Sequence, residues 1–80
     1  MEVLAAVSDA TRLKMLRLLA RGEKCACVLP RMVGTSQPAV SQHLRVLREA
    51  GLARMRKDGK KRIYSITMKG KSVLSDISNW

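Results

Sequence analysis

Eighty residues carry sixteen Lys and Arg against six Asp and Glu, a formal net charge of +10, with one Tyr, one Trp and no Phe. One domain fills that length, and a charge of that sign attracts a polyanion, nucleic acid first. The composition argues against single-strand readers, which stack bases on aromatic rings. No apolar run approaches the roughly 20 residues needed to cross a bilayer. The cations are scattered, unlike those of a membrane-surface helix, and no basic and then apolar leader is visible. A cytoplasmic chain is expected, with no membrane partner and with thiols kept reduced. A domain this short buries only about 60% of its unfolded surface, so a homodimer is the expected support.

Val3, Leu4 and Val7 give the first piece an apolar side, and Ser8 and Asp9 are both good caps for the helix that follows. From Ala10 to Arg21, Leu13, Met15, Leu16, Leu18 and Leu19 form a wide apolar stripe opposite Arg12, Lys14, Arg17 and Arg21, with Gly22 as the stop. Glu23 to Cys27 reads as extended. Val28 to Val33 is a brief helix with Pro30 in its first turn, closed by Gly34. Ser36 caps the next helix, which runs to about Ala50 before Gly51. Its inward side is Val40, Leu44 and Leu47, spaced i, i+4, i+7. Two helices joined by a tight glycine-containing turn make a helix-turn-helix.

After Gly51 the period changes. Leu52 to Lys57 and Lys60 to Thr67 flank Asp58-Gly59, a strong hairpin signal. Thr67 caps a last helix with a Val73, Leu74, Ile77 and Trp80 stripe. The expected fold is therefore mainly α with a small β-hairpin: a winged helix-turn-helix of about five helices and a two- or three-stranded wing, forming one domain over residues 1–80.

The helix from Gln37 carries the chemistry. Ser36, Gln37, Ser41, Gln42 and Arg45 lie near its start or opposite its apolar side. Gln and Arg pair bidentately with adenine and guanine edges, and groove-reading helices place their N-terminal part against the bases. His43 sits beside the apolar side, placed for a backbone hydrogen bond or a phosphate at the groove edge. Around the hairpin turn, Arg56, Lys57, Lys60, Lys61 and Arg62 make a basic ribbon suited to phosphates or a minor groove. A Ser/His/Asp set, a phosphate loop and a paired-carboxylate cleft are all missing, so the chain reads as no enzyme. The alternative is a general basic nucleic-acid-binding protein.

Cys25-Ala26-Cys27 supports two chemistries. Two thiolates one residue apart suit a soft ion such as As(III), Cd(II), Zn(II) or Cu(I). They also suit a redox switch, although a bridge between positions i and i+2 is demanding. Two ligands are fewer than the four of a closed zinc site. The bland alternative makes Cys27 a small core residue and Cys25 incidental, so no cofactor is certain.

These residues together resemble the ArsR/SmtB family of winged-helix repressors. The resemblance rests on Ser8-Asp9-Ala10-Thr11-Arg12-Leu13, Cys25-Ala26-Cys27, and Thr35-Ser36-Gln37-Pro38-Ala39-Val40-Ser41-Gln42-His43-Leu44. It continues through Leu47-Arg48-Glu49-Ala50-Gly51-Leu52 and the hairpin end Tyr64-Ser65-Ile66. It implies a homodimer joined by the first and last helices through Val3, Leu4, Val7, Val73, Leu74, Ile77 and Trp80. It also implies a palindromic double-stranded operator and release of DNA by an inducer. Arsenic- and cadmium-sensing members place a Cys-x-Cys pair where Cys25 and Cys27 stand. Their arsenic sensors carry a third Cys where this chain has Pro30, and their cadmium sensors add Cys from an N-terminal arm. Zinc and nickel sensors use Asp and His on the last helix, where this chain has Asp76 alone. The inducer therefore stays open between metal, metalloid, oxidant and none.

Overall fold

In the computed structural model, residues 3–78 are described. Its elements run α1 (Val3–Val7), α2 (Ala10–Ala20), β1 (Lys24–Cys25), α3 (Leu29–Val33), α4 (Gln37–Glu49), β2 (Ala53–Asp58), β3 (Lys61–Ile66) and α5 (Met68–Ser78). Helix α2 starts where Asp9, extended in φ and ψ, accepts the Arg12 backbone N–H at 3.0 Å. Ser8 instead donates back to the Ala5 carbonyl. Of the two candidate caps, Asp9 is the one used. That N–H is the main cause holding the Asp9 carboxyl below its ordinary 3.8.

The core forms where the aliphatic stripes meet. Met15, Leu16 and Leu19 of α2 pack with Leu29 of α3, Val40, Leu44 and Leu47 of α4, and Leu52, all essentially sealed from water. Burying each such side chain contributes about 1.5–3 kcal/mol, offset by the entropy of ordering it. Ala6 and Val7 of α1 and Tyr64 of β3 close the edges. Both prolines sit where the missing N–H costs nothing, in the first turns of α3 and α4.

The sheet is three-stranded and antiparallel in the order β1-β3-β2. Residues Ala53 to Asp58 pair with Ile66 to Lys61, and the short β1 pairs Lys24 with Tyr64 and Cys25 with Ile63. The turn differs from its sequence expectation by one residue. Asp58 pairs with Lys61, so the two central residues are Gly59 and Lys60 rather than Asp58 and Gly59. Gly59 has φ of 62°, and no non-glycine residue among those described has a positive φ. A hairpin with glycine first needs positive φ at that position alone, which spares Asp58 a strained conformation.

Thr67 joins the wing to α5. Its hydroxyl donates to the Gly51 carbonyl at 2.7 Å and accepts the Gly70 N–H at 3.0 Å. Gly70 itself is buried, and a Cβ there would collide with the Leu52 carbonyl and the Ile66 side chain.

Candidate nucleic-acid interface

Helix α4 is oriented by its buried side. Val40, Leu44 and Leu47 turn inward, which leaves Ser36, Gln37, Ser41, Gln42 and Arg45 in solvent on the other side. The Ser36 hydroxyl accepts the Ala39 N–H at 3.3 Å and fixes the first turn, where groove contacts concentrate. Arg45 is held along the helix surface by Glu49, Nε to Oε1 at 2.8 Å. The pair is exposed and so weak enough to exchange for a stronger partner.

His43 stands apart from this surface. It is half-buried, and its Nδ1 is shut away from solvent without a hydrogen-bond partner. The imidazole adds a smaller part to the lowering of the Asp9 carboxyl.

The hairpin projects Arg56, Lys57, Lys60, Lys61 and Arg62, all exposed. Arg56 is already engaged: it meets Glu23 at 2.6 Å and Asp58 at 3.8 Å. Its hydrogen bond to Glu23 raises its pKa further, so the charge is permanent, and the contact ties β2 to the turn before β1. Among these five cations, Lys57, Lys60, Lys61 and Arg62 make no salt bridge with the described residues.

Between α4 and the sheet runs a cleft of about 290 Å³, lined by Gln37, Ser41, Arg45, Arg48, Arg62 and Tyr64 among others. Arg48 is not among the residues singled out from the sequence. Its signal was the helical spacing of 37, 41, 45 and 48, which share one side. The cleft brings three arginines from helix and wing to one place.

Next to it, sharing Ala26, Gln37 and Arg62, lies an open cleft of about 250 Å³ that contains the cysteines with Lys60 and Lys61. Cys25 and Cys27 are joined as a disulfide, with their Cα atoms 5.2 Å apart, and are not the reduced thiols expected from the sequence. Cys27 is exposed and Cys25 half-buried, and the Cys27 backbone N–H donates to the Cys25 sulfur at 3.3 Å. Among the described residues, no group of three or more His, Cys, Asp and Glu could hold a metal ion.

Val3, Leu4, Val7, Val73 and Ile77, with Asp76, line an open, largely apolar groove between α1 and α5. Leu4 is 71% exposed there. Leu74 packs against the core from the same helix, and Trp80 lies outside the described residues. No helix among the described residues is long and apolar enough to cross a membrane.

A capped helix with a polar exposed side, set beside a basic hairpin, defines a winged helix-turn-helix. The family model for bacterial regulatory proteins of the arsR family matches residues 9–54. The arsenical resistance operon repressor of Staphylococcus aureus is 40% identical over 75 residues, covering 94% of this chain and 69% of that protein. A homolog of the cadmium resistance regulatory protein CadC, also from Staphylococcus aureus, is 39% identical over 66 residues, covering 81% and 54%. The solved structure of NolR from Sinorhizobium fredii superposes with a TM-score of 0.86 at 34% identity, over 95% of this chain and 77% of that one. The chain belongs to the ArsR family, a family of transcriptional regulators and not of enzymes. It spans about half the length of several curated relatives it matches.

Proposed function

We propose that the chain acts as one half of a homodimeric repressor, released from a palindromic operator by a thiol-directed inducer at Cys25 and Cys27. In this reading, α4 lies in the major groove with Gln37, Ser41, Gln42 and Arg45 toward base edges and Ser36 holding its first turn. Lys57, Lys60, Lys61 and Arg62 follow the phosphates, with Arg56 kept beside them by Glu23. Arg48 joins them from the helix side. The observation that carries the reading is the exposed polar side of α4 flanked by the exposed cations of the hairpin. His43, half-buried with its Nδ1 shut away from solvent, suits a positioning role better than a base contact.

The groove of Val3, Leu4, Val7, Val73 and Ile77 suits a second copy, since an apolar side at 71% exposure of Leu4 is better covered. The names of relatives from arsenical and cadmium resistance operons favour a thiophilic inducer. Reduction of the Cys25–Cys27 bridge would free two thiolates, an open donor pair and not a closed four-ligand zinc site. A bridge between residues two apart restricts the unfolded chain little, so it serves chemistry better than stability.

Two measurements test this. At about 150 mM salt, a palindromic duplex should bind more tightly than random duplex or single strands; equal affinity for all three makes the chain a general binder. A release assay on the reduced chain with arsenite, cadmium and an oxidant should respond in the wild type and not in Cys25→Ser/Cys27→Ser. An unchanged response in the double variant removes the thiol site from the mechanism.

A further inference from the structure

The cleft that contains the two cysteines is unlike a bare metal pocket, because it is also lined by Gln37, Lys60, Lys61 and Arg62. Its backbone explains the juxtaposition. Cys25 faces Ile63 in the ladder, and the Ala26 N–H donates to the Arg62 carbonyl at 2.9 Å. Three cations of the wing are thereby brought around one sulfur pair. Cys27 is the exposed residue of the pair. Cys25 is the half-buried one and accepts a backbone N–H.

We propose that this cleft receives a low-molecular-weight thiol bearing negative charge, of the glutathione type, which forms a mixed disulfide with Cys27. The proposal deepens the inducer reading and rests on it only for the consequence at DNA. The incoming thiolate attacks the Cys27 sulfur, and a new S–S bond forms as the Cys25–Cys27 bond breaks. The electron pair of the broken bond goes to Cys25, which leaves as a thiolate. Its negative charge is met by the Cys27 N–H it already accepts, and a thiol stabilised as thiolate leaves faster. The thiol supplied is both nucleophile and reductant, so no other oxidant or reductant is needed. The carboxylates of the adduct then sit against Lys60, Lys61 and Arg62, the cations a phosphate would otherwise use. Thiol state and DNA affinity are coupled by direct competition for charge.

The test follows adduct formation on the oxidised 80-residue chain by intact mass, with iodoacetamide added to cap the freed Cys25. Glutathione, 2-mercaptoethanol and cysteamine supply negative, neutral and positive thiols, each rate divided by its thiolate concentration. At low salt glutathione should lead cysteamine by at least about fivefold, the effect of one charge pair at contact distance in water. The lead should shrink in Lys60→Gln/Lys61→Gln, and in wild type as salt is raised to about 0.5 M. Peptide mapping should find the adduct on Cys27. Equal rates for the three thiols, a lead that survives both the variant and high salt, or an adduct on Cys25 would overturn the proposal. Because this series contains no DNA, its failure is separable from a failure of operator binding. If the adduct forms as expected and duplex affinity does not fall, the competition is refuted and the thiol site stands.

Discussion

Helix α4 and the β2–β3 hairpin present charge to the same surface, yet they are held in opposite ways. Helix α4 is anchored by three side chains that are essentially sealed from water, so its outer side cannot rotate without opening the core. The hairpin beyond Met55 has its side chains mostly in solvent, and is held by its strand ladder and the Arg56–Glu23 contact. A reader of base edges needs fixed geometry, because bidentate pairs fail when misplaced. A phosphate ribbon needs only charge and reach. The difference in anchoring thus separates specificity from affinity within one small surface.

The sharpest way to break that comparison is to unseat the helix. Leu47→Ala, at a position with no exposure, should cost about 2–5 kcal/mol in urea unfolding, whereas Lys60→Ala should stay within about 0.5 kcal/mol. Equal losses would mean the hairpin is as structural as α4. Next, Gln42→Ala should lose about 1–3 kcal/mol on its preferred duplex and relax base preference there. A uniform loss across random sequences would move Gln42 to the phosphate set. Lys60→Gln/Lys61→Gln should act the other way, weakening every duplex alike and flattening the slope of log affinity on log salt by about 0.9 per lost contact. A loss confined to one sequence would make the wing a reader.

The smallest expected effect is at the entry to α2. Asp9→Ala should cost about 1 kcal/mol of stability, with Asp9→Asn largely retaining it. Because the folded carboxyl titrates below its ordinary 3.8, the contribution is complete above that value. It disappears as pH falls through the lowered folded value. An acid-unfolding profile in which wild type and Asp9→Asn coincide at every pH would show that the ionised carboxylate adds nothing to the cap.

What could be read from the sequence follows a physical divide. Local chemistry was legible: the Ser36 cap, the Gly34 and Gly51 stops, the two first-turn prolines, and the Val40, Leu44 and Leu47 side each depend on residues within a turn or two. Pairings distant in sequence were not. The position of β1 beside β3, and hence of the cysteines beside Arg62, depends on contacts across more than thirty positions that no local pattern encodes. The hairpin turn shifted by one because Asp-Gly and Gly-Lys pairs both satisfy a tight turn, and the ladder chose between them. His43 carried no signal of direction, since it borders the apolar stripe and either side was open to it.

The Thr67 hydroxyl bonds to both Gly51 and Gly70, so the end of α4 and the start of α5 share one joint. The Cβ-free contact at Gly70 leaves that joint almost no slack. If two copies meet through α5, any tilt of that seam is passed to the neighbouring α4 as by the pivot of a caliper, setting the span between the two jaws.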